Sequence, residues 1–214
     1  MQKIDHVVKP SGQTAADTKA RILDAADKVF VRRGIDGART QEIADLAGVN
    51  KALLHYHFRS KADLARAVWF RIASSFVPGI FEMLASDLLL HDKIDRFVDA
   101  YHTRLAKHPY LLAYVISEAA RHPDFVGDFY SPERREAAQR MLAPLQAQLN
   151  ECARLKGIAP IAADQFLVTL VGSCLFPFAA QPMLAQALGL GASGARAFMK
   201  RRRTELPALL KRMC

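Results

Sequence analysis

From Thr18 onwards, apolar residues fall at Ile22, Ala25, Ala26, Val29 and Phe30, the i, i+3, i+4, i+7, i+8 stripe of an amphipathic helix. Gly34 ends that helix, with Arg32 and Arg33 in its last turn. A second, shorter helix opens at Thr40, whose hydroxyl suits an N-cap. Ile43, Ala44, Leu46 and Ala47 give it a buried side. Gly48 allows a sharp turn, Val49 plugs the corner, and Asn50 caps a third helix with Leu54 and Phe58 facing inward.

Ser60 caps a fourth helix through Ala65, Trp69, Ile72 and Ala73, which Pro78-Gly79 should kink or interrupt. Ile94, Phe97, Val98, Tyr101 and Leu105 mark a helix over 92–107. Pro109 opens the next, running through Leu112, Val115, Ile116 and Ala119, and His122-Pro123 breaks it. A loop is expected near Asp124–Pro132, then one long amphipathic helix over about 133–156, stopped by Gly157 and Pro160. A last helix runs from Ser193 to Leu206, limited by Pro207, and carries Arg196, Lys200, Arg201, Arg202 and Arg203. Such a run is ordinarily a solvated face; a second DNA or partner contact is the alternative. No segment alternates with period two long enough to propose a sheet, so the chain reads as all-α.

Residues 165–195 contain no charged side chain, and about 20 apolar residues would span a membrane. A span is rejected here. Pro177 and Pro182 interrupt the run, Gly189, Gly191 and Gly194 follow, and Gln165, Thr169, Ser173, Gln181 and Gln186 are scattered through it. A helix apolar on nearly every side is otherwise one packed on both sides.

The chain has 214 residues and a net charge of +9, which suits a polyanionic partner. The excess is unevenly placed: residues 1–65 carry +3, residues 66–195 are neutral, and residues 196–214 carry +6. Net charge alone therefore does not locate a nucleic-acid site. Cys152, Cys174 and Cys214 are far apart, with no zinc or disulfide spacing, which favours a reducing compartment and ordinary thiols. Redox sensing by Cys152 or Cys174 is the alternative. The N-terminus shows no apolar h-region, so no secretion signal is expected. Residues 1–16 read as a flexible arm bearing Lys3 and Lys9.

Thr40 to Lys61 has the form of a helix-turn-helix, whose second helix enters the DNA major groove. The pattern T-x-x-I-A-x-x-A-G-V-x-x-x-x-L-x-x-H-F-x-S-K, followed by an acidic residue and leucine, resembles the DNA-binding signature of the TetR family of bacterial regulators. It is carried by Thr40, Ile43, Ala44, Ala47, Gly48, Val49, Leu54, His57, Phe58, Ser60, Lys61, Asp63 and Leu64, and the likeness covers roughly residues 18–66.

With Leu54 and Phe58 inward, Ala52 and Tyr56 lie nearly opposite on the third helix, flanked by Leu53 and His55. Lys51 reaches out from the first turn and can bind guanine O6 and N7 or a phosphate. Ala52 permits close approach, and Leu53 offers an apolar contact to a thymine methyl. His55 and Tyr56 can donate to phosphates or base edges. Gln41 can reach a purine edge, while Thr40 and Lys61 would hold the DNA backbone from either side. His55 departs from the family pattern, where tyrosine is usual; it donates to phosphate, or adds pH dependence if it titrates near neutrality. His57 packs partly against the domain or touches phosphate. His55 and His57, two residues apart, do not share a helix face, so no metal site is expected.

The resemblance implies an architecture of residues 17–64 as a three-helix DNA-binding domain and residues 65–214 as a ligand-sensing and dimerisation domain. It further implies a homodimer on a palindromic operator, a small-molecule effector, no cofactor, and a cytoplasmic, bacterial setting. In the second half, Tyr101, His102, Arg104 and Tyr114 combine bulk with polar tips and are the candidate effector contacts. The effector's sign is open; an apolar or amphipathic molecule is the default. The family's last two long helices pair across the dimer, which makes Phe166, Leu170, Gly172, Ser173, Cys174 and Phe176 the candidate interface. Ligand-induced release from DNA is the expected sign of regulation, with activation using the same architecture. No phosphate-binding glycine loop, H-E-x-x-H or G-x-S-x-G occurs, which argues against an enzyme. A helical protein-interaction module that does not read DNA is the remaining alternative.

Overall fold

A computed structural model of the chain describes residues 14–107 and 109–213. Lys3, Lys9 and most of the expected N-terminal arm lie outside the described residues, as does Cys214. Among the described residues there are thirteen α-helices and no strand. They form two compact units, Met1–Val68 and Trp69–Cys214.

The first unit holds α1 (Ala15–Gly37), α2 (Thr40–Ala47), α3 (Lys51–His57) and the start of α4 (Lys61–Ser74). Helix α1 begins three residues before Thr18. Thr14 and Asp17 close a capping box there, with the Asp17 amide donating to Thr14 Oγ1 at 3.1 Å. The helix breaks at Gly34 (φ 69°), and Ile35 beyond it is buried. Ile22, Ala26, Val29 and Phe30 of α1 meet Ile43 and Ala44 of α2, Leu54 of α3 and Leu64 of α4 in a core fully shielded from water.

Two details of α2 differ from the sequence expectation. Thr40 is the first helical residue; the cap position is Arg39, which makes no side-chain capping bond. Leu46 is 52% exposed, because the buried stripe runs through Ile43, Ala44 and Ala47 and leaves Leu46 roughly 110° from its centre.

The second unit continues α4 and adds α5 (Val77–Ala85), α6 (Leu90–Lys107), α7 (Pro109–Arg121), α8 (Pro123–Phe129), α9 (Pro132–Arg140), α10 (Leu142–Lys156), α11 (Ala163–Ala179), α12 (Gln181–Ala187) and α13 (Ala192–Lys211). Its core is built from Ile94, Phe97 and Leu105 of α6, Leu145 and Leu149 of α10, Phe166, Leu170 and Cys174 of α11, and Leu206 and Leu210 of α13. Trp69 anchors a smaller aromatic group, its indole N–H donating to the Val115 carbonyl at 3.0 Å and its ring meeting Phe129 edge-on.

Proline placement explains most departures from expectation. The fourth helix stops before Pro78, at Ser75 and Phe76, whose amides bond three residues back to Ile72 and Ala73; Pro78 then sits in the first turn of α5. The expected loop at Asp124–Pro132 is mostly helix α8, opened by Pro123 and held by buried Phe125 and Phe129, one turn apart. The expected single helix over 133–156 is two, α9 and α10, parted at Met141; Pro144 has no N–H for the Arg140 carbonyl. Conversely, α13 runs through Pro207, with Leu206 and Leu210 buried on either side of it. The uncharged run is divided into α11 and α12, bent by 78°. Ile116, expected on the buried side of α7, is exposed. Lys93 is fully buried at the start of α6 and donates to the Leu84 carbonyl at 2.7 Å, tying α6 to the end of α5; burial pushes its ammonium pKa down.

Candidate nucleic-acid interface

The turn between α2 and α3 is fixed by backbone chemistry. Gly48 is left-handed (φ 64°, ψ 39°) and closes α2 with amide bonds back to Ala44 and Asp45. Asn50 caps α3, its side chain accepting from the Leu53 amide at 2.7 Å. The Arg21 guanidinium on α1 donates to the carbonyls of Ala47 and, at 3.0 Å, Gly48. Arg32 and Arg33 meet Glu42 at 2.7 and 3.1 Å, holding α2 against the end of α1. Arg21 and Glu42 are supports that local sequence pattern does not flag, because their partners stand nine or more residues away.

On this frame α3 turns Leu54 fully inward, and Phe58, just past its end, is buried too. Lys51, Ala52, Leu53, His55 and Tyr56 are exposed together, with Tyr56 80% and Leu53 37% accessible. His57 is half-buried with its ring edge-on to Tyr56. No carboxylate lies on α3. Gln41 is exposed and donates to Asp45 Oδ1 at 2.8 Å, and Thr40 is half-buried. Lys61, expected to clamp phosphate, donates to the carbonyls of Asp36 and Ala38 at 3.2 and 3.3 Å. Its ammonium thus fastens the α1–α2 connection, leaving Lys51 as the cation carried by α3 itself.

In the second unit a cavity of about 670 Å³ opens between α5 and α6. Phe76, Ile80 and Met83 line it from one side, and Phe97, Tyr101 and Arg104 from the other. Two of the four expected effector contacts, Tyr101 and Arg104, are therefore brought together. His102 and Tyr114 are not in its wall. His102 is buried edge-on to Phe178, where burial and the nearby Arg203 and Arg202 charges push its pKa down. Tyr114 is buried on α7.

Residues 22–68 match the model of the family described as "Bacterial regulatory proteins, tetR family". Over this segment the chain carries the DNA-binding region of the TetR family. It is 36% identical over 62 residues to the HTH-type transcriptional regulator TtgR of Pseudomonas putida, covering 29% of this chain and 30% of that protein. It is 32% identical over 105 residues to the HTH-type transcriptional repressor SCO4008 of Streptomyces coelicolor, covering 49% of this chain and 51% of that protein. These matches span about a third to a half of the relatives' lengths. The solved structure of Salmonella enterica GusR superposes with a TM-score of 0.58 at 21% identity, covering 97% of this chain and all of that one, and so shares the all-α fold.

The residues expected to pair the chain with a second copy divide by burial. Phe166, Leu170 and Cys174 lie in the core of their own unit and offer a partner no surface. Ser173 is half-buried, its carbonyl accepting from Arg202 at 3.2 Å. Gly172 and Phe176 face outward, in line with Val168, at 66% exposure for Val168 and 54% for Phe176. Because α11 is apolar on nearly every side, its sequence marks no stripe, and spacing alone groups residues of its inner and outer faces together. Cys174 is fully buried, and burial pushes its thiol up to about 12, which disfavours the reactive thiolate. The basic α13 is partly neutralised within the unit: Arg203 pairs with Asp99, and Lys211 with Asp95 at 2.6 Å.

Proposed function

We propose that the chain is a sequence-specific DNA-binding transcriptional regulator, and not an enzyme, acting in the bacterial cytoplasm as a homodimer on a palindromic operator. The observation that carries this is the outward face of α3, where Lys51, Ala52, Leu53, His55 and Tyr56 stand together above a rigid turn with no carboxylate among them. Lys51 and Tyr56 would serve phosphates and base edges, and Leu53 a thymine methyl. Two such helices fit successive major grooves when about 34–36 Å apart.

The outward line of Val168, Gly172 and Phe176 on α11 is the surface we assign to the second copy, with Gly172 allowing close helix approach. The cavity between α5 and α6 is the effector site. Effector binding releases the operator by favouring a state with the wrong spacing; a coupling of about 1–3 kcal/mol changes operator affinity roughly 5- to 150-fold. Repression is the sign favoured by the likeness to a transcriptional repressor.

Two substitutions test the assignment of faces by fluorescence anisotropy on operator DNA. Lys51→Ala weakens binding to all sequences and lowers the slope of log affinity against log salt by about 1. Leu53→Ala alters preference at a single base position. Binding unchanged in both variants would contradict the assignment.

A further inference from the structure

The wall of the α5–α6 cavity carries charge of one sign that its own fold does not neutralise. Arg96 and Arg104 stand eight residues apart on α6, with Ala100 midway between them, and all three line the cavity. Eight residues of helix span about 12 Å, and the residue between the two arginines is the small Ala100. The Arg104 guanidinium lies over the Phe76 ring, its central carbon 4.3 Å from the centroid, a cation–π contact that places its charge in the cavity wall.

The one carboxylate in the lining, Asp99, is already engaged by Arg203 of α13, whose Nε sits 2.9 Å from Asp99 Oδ1. Asp95, one turn earlier, is engaged by Lys211. Helix α13 thus balances the acidic side of α6. Among the described residues, neither Arg96 nor Arg104 makes an ion pair. Below the arginines the lining is apolar: Phe76, Ile80, Met83 and the stacked pair Phe97 and Tyr101, whose centroids are 4.4 Å apart. A volume of about 670 Å³ falls in the range of sites that enclose a whole small molecule.

We propose that the effector is an amphipathic anion, with an apolar body against Phe76, Ile80, Met83 and Phe97 and a carboxylate or phosphate head held by Arg96 and Arg104. This rests on the reading of the cavity as the effector site. Guanidinium groups match both head groups through paired N–H donors, and an apolar body alone would not use them.

The test is isothermal titration of the full chain with four ten-carbon probes, each below its micelle concentration: decanoate, decyl phosphate, decanol and decyltrimethylammonium. The two anions should bind at least about tenfold tighter than decanol, with the cation weakest. The ratio between decanoate and decyl phosphate tells which head group the site prefers. In a chain carrying both Arg96→Gln and Arg104→Gln, the anions should fall to the affinity of decanol while decanol itself is unchanged. Equal affinity for decanol and the anions, tighter binding of the cation, an anion preference that survives the double substitution, or no binding of any probe would each overturn the proposal. Operator binding without any probe is measured in parallel on both proteins. Its presence alongside a failed titration refutes the anion assignment alone, whereas its absence refutes the regulator reading.

Discussion

Replacing Gly48 with alanine lowers the stability of the first unit by about 2.5–5 kcal/mol and weakens operator binding with it. Gly48 holds φ at 64°, a conformation that costs an L-residue roughly 1–2 kcal/mol. A Cβ there would also stand 2.9 Å from Nη2 of Arg21. That side chain is flexible enough to swing aside, so the contact itself is relieved. What is lost is its donation to the Ala47 and Gly48 carbonyls, at about 1.5–3 kcal/mol for a hydrogen bond to a charged group. Arg21→Met separates the two causes, because it removes the donors and leaves the glycine turn unstrained. It should show roughly half the effect. Hydrogen exchange over residues 40–58 reads the outcome directly: both variants speed exchange there, and Gly48→Ala does so more. Unchanged protection in Gly48→Ala would mean that the turn does not hold α3 in place.

Phe166→Ala has the larger effect on the second unit, a loss of about 3–5 kcal/mol. Phe166 is fully buried among Leu170, Leu145 and Phe97, so truncation leaves a cavity that neighbouring helices fill only in part. Phe176→Arg is the contrasting change. Its side chain is exposed on the line through Val168 and Gly172, where a second copy would bring another cation against it. Thermal unfolding and sedimentation velocity separate the two. Phe166→Ala melts earlier and, while folded, keeps the wild-type assembly. Phe176→Arg stays folded but sediments as a monomer, and its melting ceases to depend on protein concentration. A folded monomer from Phe166→Ala, with an intact dimer from Phe176→Arg, would reverse the two faces of α11.

These two cases show what the sequence displays and what it conceals. The first unit is written in local signals: Gly48 where a positive φ is needed, Asn50 where a helix needs an acceptor, Leu54 and Phe58 one turn apart on a short helix with a polar outer face. Each acts within four residues, so spacing alone reveals it. Arg21 acts across 26 residues and Lys61 across 23 and 25, and nothing nearby in the chain marks them. Spacing alone therefore assigns Lys61 to DNA, whereas its ammonium serves the Asp36 and Ala38 carbonyls.

In the second unit, helix existence is legible for α6 and α7 because Pro109 separates one from the other. The division of α9 from α10 at Met141 is also signalled, by Pro144, but the continuous polar face around it outweighs that signal. The face of α11 is not legible at all, since a helix with almost no charged residues offers no contrast between core and surface. The cavity depends on three-dimensional pairing. Tyr101 and Arg104 belong to it, His102 is buried beside Phe178, and Asp99, the carboxylate of its lining, is engaged by Arg203 of α13.

On the proposed function, α3 reads a particular DNA sequence. Retention of fragments of its own genome by the purified full chain, sequenced after washing at increasing salt, measures this most directly. A few fragments should survive, including DNA upstream of its own gene. They should share inverted half-sites whose centres lie about 34–36 Å apart, with affinity falling steeply with salt. Retention of all fragments alike, at every salt concentration, would contradict it.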